Sequence, residues 1–317
     1  MNNFTEREII STFLRHSTAN HSSLIKGIGD DCAILKSGER GCQVITSDTL
    51  TQDSHFILEL SSPSDLAYKS LASNISDVLA MGATPQFAIM AFTFNDQITK
   101  EWVEEFSLEF NSLASQYNIE LIGGDTTYSS KAVTITITLI GWAEEENIKT
   151  RSGAKKGDSV FCINPLGGSA LGLKHLLAGN RFHPSVKVHF RPTLFMKQAL
   201  WLAEQHSVGA MMDISDGIAK DILHIIEQSD VGCTINLDKL PIYDGATLSM
   251  AVEGGEEYSL LFTVRGDHSE RLKREYYKTF GSNIYEIGLI TSNKGELKWL
   301  LNGEDKGYNF KGYEHGR

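Results

Sequence analysis

Cysteine is scarce in this 317-residue chain, and long apolar runs are missing altogether. Its four cysteines, Cys32, Cys42, Cys162 and Cys233, form no CxxC pair, and no histidine cluster completes a zinc-like spacing. Reduced thiols in a cytoplasmic protein are the expected state. The N-terminus, MNNFTEREII, carries neither a basic n-region nor an apolar h-region. No apolar run approaches the ~18 residues of a membrane span. Positive charge is also in deficit, with 29 Lys and Arg against 40 Asp and Glu, a net charge of −11. That balance argues against nucleic acid as a partner, because phosphate backbones need clustered cations. Two familiar phosphate cradles are absent as well: there is no GxxxxGK[ST] and no kinase-type GxGxxG with a following strand lysine.

What the chain does have is short carboxylates set beside glycines or small polar residues. GIGDD spans residues 27–31, Asp48 sits in TSDTL, Asp77 in NISD, Asp125 in LIGGDTT, and Asp213 and Asp216 in MMDISDGI. The length suggests two domains of about 150 residues each. Thr5 followed by Glu8 predicts a capping box that opens a helix through IISTFLRH. CQVITSD predicts a strand delivering Asp48 at its carboxyl end. A helix follows over SPSDLAYKSLASNISDVLAMG, with Leu66, Ala67, Leu71, Ile75, Val78 and Leu79 as an apolar stripe. QFAIMAFTF reads as a strand, KEWVEEFSLEFNSLASQY as a helix, NIELIGG as a buried strand ending just before Asp125, and KAVTITITLIGW as an alternating strand. TRSGAKKGD is a small basic link, so the domain boundary is placed there, giving residues 1–149 and 150–317. Strand-helix alternation resumes beyond it, through SVFCIN, VGAMMDIS and DGIAKDILHIIEQS. The fold class is α/β or α+β, with two mixed domains.

Asp is a hard oxygen ligand on a short stem, which suits Mg²⁺, and adjacent glycine lets backbone approach a phosphate. Capping and turn chemistry explain any one Gly-Asp equally well. Several that share strand-end settings, in GDD, SDT and GGD, point instead to a common metal–phosphate site at one sheet edge. PLGGSALG, residues 165–172, is the best nucleotide-loop candidate by composition, since a helix N-terminus offers free N–H groups; a tight strand-helix turn explains it about as well. GGEEYSLLF, residues 254–262, reads as a turn into a strand, and His55 either faces a substrate or, as the default reading, packs against Phe56.

In order, GIGDDCAIL, TSDTLTQDSHF, LAYKSLASNISDVLAMGATP, LIGGDTT, TRSGAKKGD, DISDGIAKDILHI and GGEEYSLLF resemble the thiamine-monophosphate kinase family. That family lies within the ATP-binding superfamily of aminoimidazole ribonucleotide synthetase and selenophosphate synthetase. The resemblance runs from about residue 26 to the C-terminal GYEH. It implies two α/β domains, an N-terminal sheet that pairs across a homodimer, and an ATP and metal cleft reaching both domains. It implies transfer of the γ-phosphoryl of ATP to thiamine monophosphate. Asp30, Thr46, Ser47, Asp48, Asp77, Asp125, Asp213 and Asp216 then become Mg²⁺ ligands, with Asp48, Asp125 and Asp213 assigned to catalysis. Gly124, Asp125, Arg151 and Ser215 would contact ATP, while His55, Glu256 and Tyr313 would face the thiamine substrate.

The chain departs from that pattern in places. The family usually shows GGEDYEL, so Glu257 and Ser259 differ; Gly168 stands where Asp is common; and GYEHGR lacks the usual terminal aromatic. A ligase-like relative of aminoimidazole ribonucleotide synthetase and a non-catalytic nucleotide or cation sensor are the other readings. Dispersed ligands count against the sensor, since a pure sensor concentrates them in one loop.

Overall fold

The computed structural model describes residues 5–17 and 21–313. Glu314 and His315 of GYEH therefore lie outside the described residues. The expected capping box is present: Glu8 N–H donates to Thr5 Oγ1 at 3.3 Å and Thr5 N–H to Glu8 Oε2 at 2.8 Å, opening α1 (Glu6–His16).

The first sheet comprises β1 (Leu24–Lys26), β2 (Ala33–Ser37), β3 (Gly41–Thr51), β4 (Thr84–Phe94), β5 (Glu120–Tyr128) and β6 (Thr134–Glu144). Their spatial order is β1-β2-β3-β6-β4-β5, antiparallel except for the β4–β5 pair. Strand alternation sorts the two faces. Cys42, Val44, Thr46 and Leu50 of β3 and Ile135, Ile137 and Leu139 of β6 point inward, while Ser47, Thr49, Thr136 and Thr138 lie on the other face.

Against the inner face lies α2 (Pro63–Ala80), begun by Ser62, whose Oγ accepts the Asp65 N–H at 3.1 Å, and by Pro63 in the first turn. The sequence predicts one apolar stripe on this helix. Instead, thirteen of its eighteen residues are buried, because elements of both halves pack around it. α3 (Lys100–Gln116) packs beside it.

The second sheet contains β7 (Ser159–Cys162), β8 (Val208–Ile214), β9 (Gly232–Asn236), β10 (Ser259–Val264), β11 (Tyr285–Thr291), β12 (Leu297–Leu301) and β13 (Glu304–Asp305). Their order is β13-β12-β9-β11-β7-β10-β8. Its helices are α4 (Gly168–Leu177), α5 (Pro184–Phe190), α6 (Met196–Ala203), α7 (Ile218–Ser229), α8 (Leu248–Glu253) and α9 (Ser269–Phe280). β10 is buried on both faces: Leu260 and Phe262 join the core around Leu71 and Ile137, and Leu261 joins a second core with Ile222 and Trp299. The chain thus has two α/β domains, and one apolar core runs continuously through both. Among the described residues, no helix is long and apolar enough to cross a membrane.

Two strands depart from expectation. β3 does not end at Asp48 but continues to Thr51, paired with β6 throughout, so Asp48 lies within the strand. NIELIGG was expected to be buried and to end before Asp125. β5 instead runs through to Tyr128, exposed along its whole length, with Asp125 in its middle. It is an edge strand whose only neighbour among the described residues is β4, and α3 packs chiefly on α2 rather than over it.

A shared core has a thermodynamic consequence. Leu71→Ala, at a position with no exposure, is expected to cost about 2–5 kcal/mol. Urea unfolding should remain a single transition in far-UV dichroism and in tryptophan fluorescence, with two tryptophans in each domain. Two separable transitions would show that the domains do not share a core.

Candidate active site

Lys69, Ser73 and Asp77 are spaced at i, i+4 and i+8 on α2, and so share one helical face. Polar groups on a buried helix need partners, and they find them on both sheets. Thr46 Oγ1, pointing inward from β3, donates to Asp77 Oδ2 at 2.5 Å. Two residues on, the Asp48 N–H donates to Asn74 Oδ1 at 3.1 Å, which fixes the strand against the helix. From the other side, Asp213 on β8 accepts the Ser76 hydroxyl at 2.7 Å. Asp31 completes the group: one carboxylate oxygen each from Asp31, Asp77 and Asp213 lie within 4.8 Å of one another. Arg151 holds Asp31 through its guanidinium, and its backbone N–H donates to Asp30 Oδ1 at 3.2 Å.

Burial sets the electrostatics of this group. It pushes the Asp31 carboxyl up to about 6 and Asp213 up to about 8, with neighbouring carboxylates adding to the rise. Asp48 and Asp77 are raised for the same reason, Asp77 further by Asp48, Asp213 and Asp31. Asp30 Oδ2 and Asp31 Oδ2 are buried with no hydrogen-bond partner, although Lys26 Nζ stands 3.6 Å from the former. Clustered, partly unsatisfied carboxylate oxygens fit a hard divalent cation such as Mg²⁺, which binds oxygen and would reverse the local repulsion.

Of these carboxylates, Asp48 and Asp77 line a cleft of about 980 Å³. Ser215 and Asp216 line it with them, and so do His55, Glu256 and Tyr313. The loop after β8 is held by a residue the sequence reading missed: Asp221 Oδ2 accepts the N–H groups of Ser215 and Asp216 at 3.1 and 3.3 Å. Glu256 and Tyr258 both have positive φ, 61° and 49°, a strained backbone of the kind that collects at functional sites. Gly255 beside them has no room for a side chain, since a Cβ would lie 2.5 Å from the Ser215 carbonyl oxygen. Asp31 was also missed, because a doubled Asp in a turn does not show which carboxylate points inward.

Other expectations need correction. PLGGSALG is not a free anion cradle: the N–H groups of Gly167 and Ser169 both donate to Glu257 Oε1, at 2.9 and 3.0 Å. The longer Glu257, in place of the family's Asp, caps α4 from within. Ser47 does not face the cluster; by strand alternation it points away from Asp48, and its hydroxyl bonds Thr138 at 3.0 Å. Asp125 shares that outer face, in register with Ala91, Thr136 and Thr49, and its carboxylate accepts the hydroxyl of its own strand's Thr127 at 3.1 Å. GDD and SDT thus meet with NISD and DISD, while GGD lies across the sheet. Gly124 has a packing reason of its own, because a Cβ there would collide with the Met90 carbonyl.

Comparison with known proteins adds the decisive observation. Residues 29–143 match the family "AIR synthase related protein, N-terminal domain", and residues 155–299 match its C-terminal domain. The chain is 34% identical over 329 residues to the thiamine-monophosphate kinase of Buchnera aphidicola subsp. Schizaphis graminum, covering 98% of this chain and 99% of that one. The chain belongs to the thiamine-monophosphate kinase family. The thiamine-monophosphate kinase of Bacillus subtilis is 35% identical over 313 residues, covering 92% of this chain and 95% of its own. Among solved structures, AaThiL complexed with AMPPCP and TMP matches with a TM-score of 0.84 and 27% identity, over 99% of this chain and 98% of that one.

The raised carboxyls give a sign that can be checked. A folded-state pKa above the unfolded value means the folded protein holds its proton more tightly. That stabilisation is complete below about pH 4 and is lost as pH rises through the folded values. In EDTA the melting temperature is therefore expected to fall between pH 5 and 8.5. Mg²⁺ binds the ionised carboxylates, so the stabilisation it adds should grow over the same range. Asp77→Asn should melt higher than the parent in EDTA at pH 8 and gain less from Mg²⁺. A melting temperature in EDTA that does not fall with pH would refute this reading of the cluster.

Proposed function

We propose that the chain transfers the γ-phosphoryl group of ATP to the phosphate of thiamine monophosphate, yielding thiamine diphosphate and ADP. The observation that carries this is a single cleft lined by Asp48, Asp77 and Asp216 and also by Glu256, His55 and Tyr313. The solved relative binds AMPPCP and TMP, an ATP analogue and the monophosphate, in a chain of the same fold. Asp30, Asp48, Asp77, Asp213 and Asp216, with Asp31 and Thr46, are the proposed holders of Mg²⁺. Mg²⁺ held there would supply neutralisation of phosphate charge.

The chain's own residues position the rest. Two anionic substrates meet here, and the attacking oxygen belongs to an already ionised phosphate, so no strong general base is required. His55 fits that reading, since its Nδ1 accepts the Thr51 N–H at 3.0 Å and the ring is set by the backbone. Ser215, two residues beyond Asp213, and Arg151, already bonded to Asp31, are the proposed ATP contacts. Orientation and charge complementarity then carry most of the rate. The four cysteines, all free and buried, are in keeping with a cytoplasmic protein.

We also propose that two copies pair across the outer face of the first sheet. Phe87, Ile89 and Trp142 stand exposed on that face, and the edge strand β5 is open along its length. On this reading Ser47, Gly124 and Asp125 act in the paired assembly rather than within one subunit. Sedimentation should give a dimer, and Asp125→Asn should lower turnover without changing that mass. Full turnover in this variant would remove Asp125 from the site.

The activity itself is tested by incubating the purified chain with ATP, Mg²⁺ and thiamine monophosphate and measuring thiamine diphosphate as thiochrome after chromatography. Product is expected with Mg²⁺ and absent with free thiamine as acceptor. Asp48→Asn should lower kcat by about 10²–10³, the usual effect of removing one group that stabilises transition-state charge. No product together with Mg²⁺-dependent ATP binding would direct attention to the superfamily's other acceptors.

A further inference from the structure

Lys69 attracts no attention in the sequence, yet it is a buried cation bordering the cleft, 1% exposed and two turns before Asp77 on α2. Its Nζ lies 2.7 Å from Glu256 Oε1 and 3.3 Å from His189 Nε2. An ammonium only donates, so His189 Nε2 accepts and the ring proton sits on Nδ1. Nδ1 faces Ser169 Oγ at 3.1 Å and Glu256 Oε2 at 3.5 Å. Burial, and then the Lys69 charge, push the His189 imidazole down to about 4, so it is neutral at physiological pH. Burial alone would raise the Glu256 carboxyl, but the charge and hydrogen bond of Lys69 oppose it, the carboxyl is lowered, and the group stays ionised.

The charges of Lys69 and Glu256 therefore cancel. A carboxylate already bonded to an ammonium at 2.7 Å has little field left for a cationic ring in the cleft. What this wall offers is directional: Glu256 Oε2 accepts, and Ser169, whose oxygen accepts the His189 Nδ1–H hydrogen bond, has its own hydroxyl hydrogen to donate. An acceptor beside a donor complements an exocyclic amine beside a ring nitrogen. Leu173, Leu176 and Phe190 line the cleft near Ser169 and His189, giving apolar cover for a flat ring.

Resting on the function proposed above, we propose that the wall formed by Glu256, His189 and Ser169 reads the neutral aminopyrimidine of the acceptor by hydrogen bonding rather than its cationic thiazolium by charge, with Lys69 as the positioning residue. The acceptor then lies with its amino-heterocycle against this wall and its phosphate toward Asp48 and Asp77.

Three acceptors test this on the unmodified protein: thiamine monophosphate, the phosphate of oxythiamine, in which a carbonyl replaces the exocyclic amine, and the phosphate of pyrithiamine, in which a pyridinium replaces the thiazolium. The oxo compound should lose at least about 10-fold in kcat/KM, because a site built to bond an amine leaves buried groups unpaired when the amine is missing. The pyridinium compound should stay within about 3-fold of thiamine monophosphate, since it keeps the amine and the charge. Glu256→Gln, whose amide can donate to a carbonyl, should narrow the preference for amine over carbonyl. Lys69→Met should raise the acceptor KM by at least about 10-fold with the KM for ATP unchanged, and Lys69→Arg should recover part of it. Equal use of the amino and oxo compounds would overturn the proposal while leaving the kinase activity standing. Rejection of the pyridinium compound with acceptance of the oxo compound would overturn it too. Absence of turnover with thiamine monophosphate would instead count against the assigned activity, and calorimetric ranking of the same three ligands then decides whether the wall discriminates.

Discussion

A helix buried along most of its length organises this protein. α2 lies between the two domains, and its polar residues, Lys69, Ser73, Asn74, Ser76 and Asp77, must be satisfied from within. Their partners come from both directions: Thr46 and Asp48 from the first sheet, Asp213 from the second, and Glu256 from the turn before β10. An isolated first domain would leave Lys69 and Ser76 exposed or unpaired. The site and the packing of the two domains are therefore one arrangement, which also explains why a single apolar core crosses the boundary between them.

That helix separates two electrostatic regimes by only two turns. Around Asp77 the negative charge is in excess, with burial and mutual repulsion holding several carboxyls above their ordinary range. Around Lys69 the charges cancel pairwise. The first regime costs stability when no cation is present, which is the usual relation between a binding site and the fold that carries it. The second costs less, because each buried charge there has an immediate partner, as burial of a charge requires.

Much of this was legible in the sequence, and for physical reasons. Regular strand alternation and helix periodicity placed β3, α2, β4, α3 and β6 closely, because long amphipathic elements override local noise. Asp30, Asp48, Asp77, Asp213 and Asp216 could be picked out from their small-residue surroundings. What could not be read was direction. One residue separates Ser47 from Asp48, and a period of two sends them to opposite faces. Asp31 and Asp30 differ in the same way within a turn. Asp125 shares the glycine setting of the others, but its strand lies at the far edge of the sheet, and only strand order, a non-local property, reveals that. Lys69 stayed hidden because a lone lysine in an amphipathic helix normally marks the solvent face, and α2 is buried along most of its length.

The two regimes also bear on how an acceptor orders itself. Thiamine monophosphate carries an anion at one end, a cation in the middle and a neutral amino-heterocycle at the other end. A cleft with negative charge along its whole length would draw in the cationic ring anywhere and hold it in several registers. Where Glu256 is balanced by Lys69, the wall leaves hydrogen-bond geometry to decide the register of the ring that meets it. The phosphate is then delivered to the cation-binding carboxylates by exclusion as much as by attraction. Lys69 sets that polarity from inside the helix that also carries Asp77.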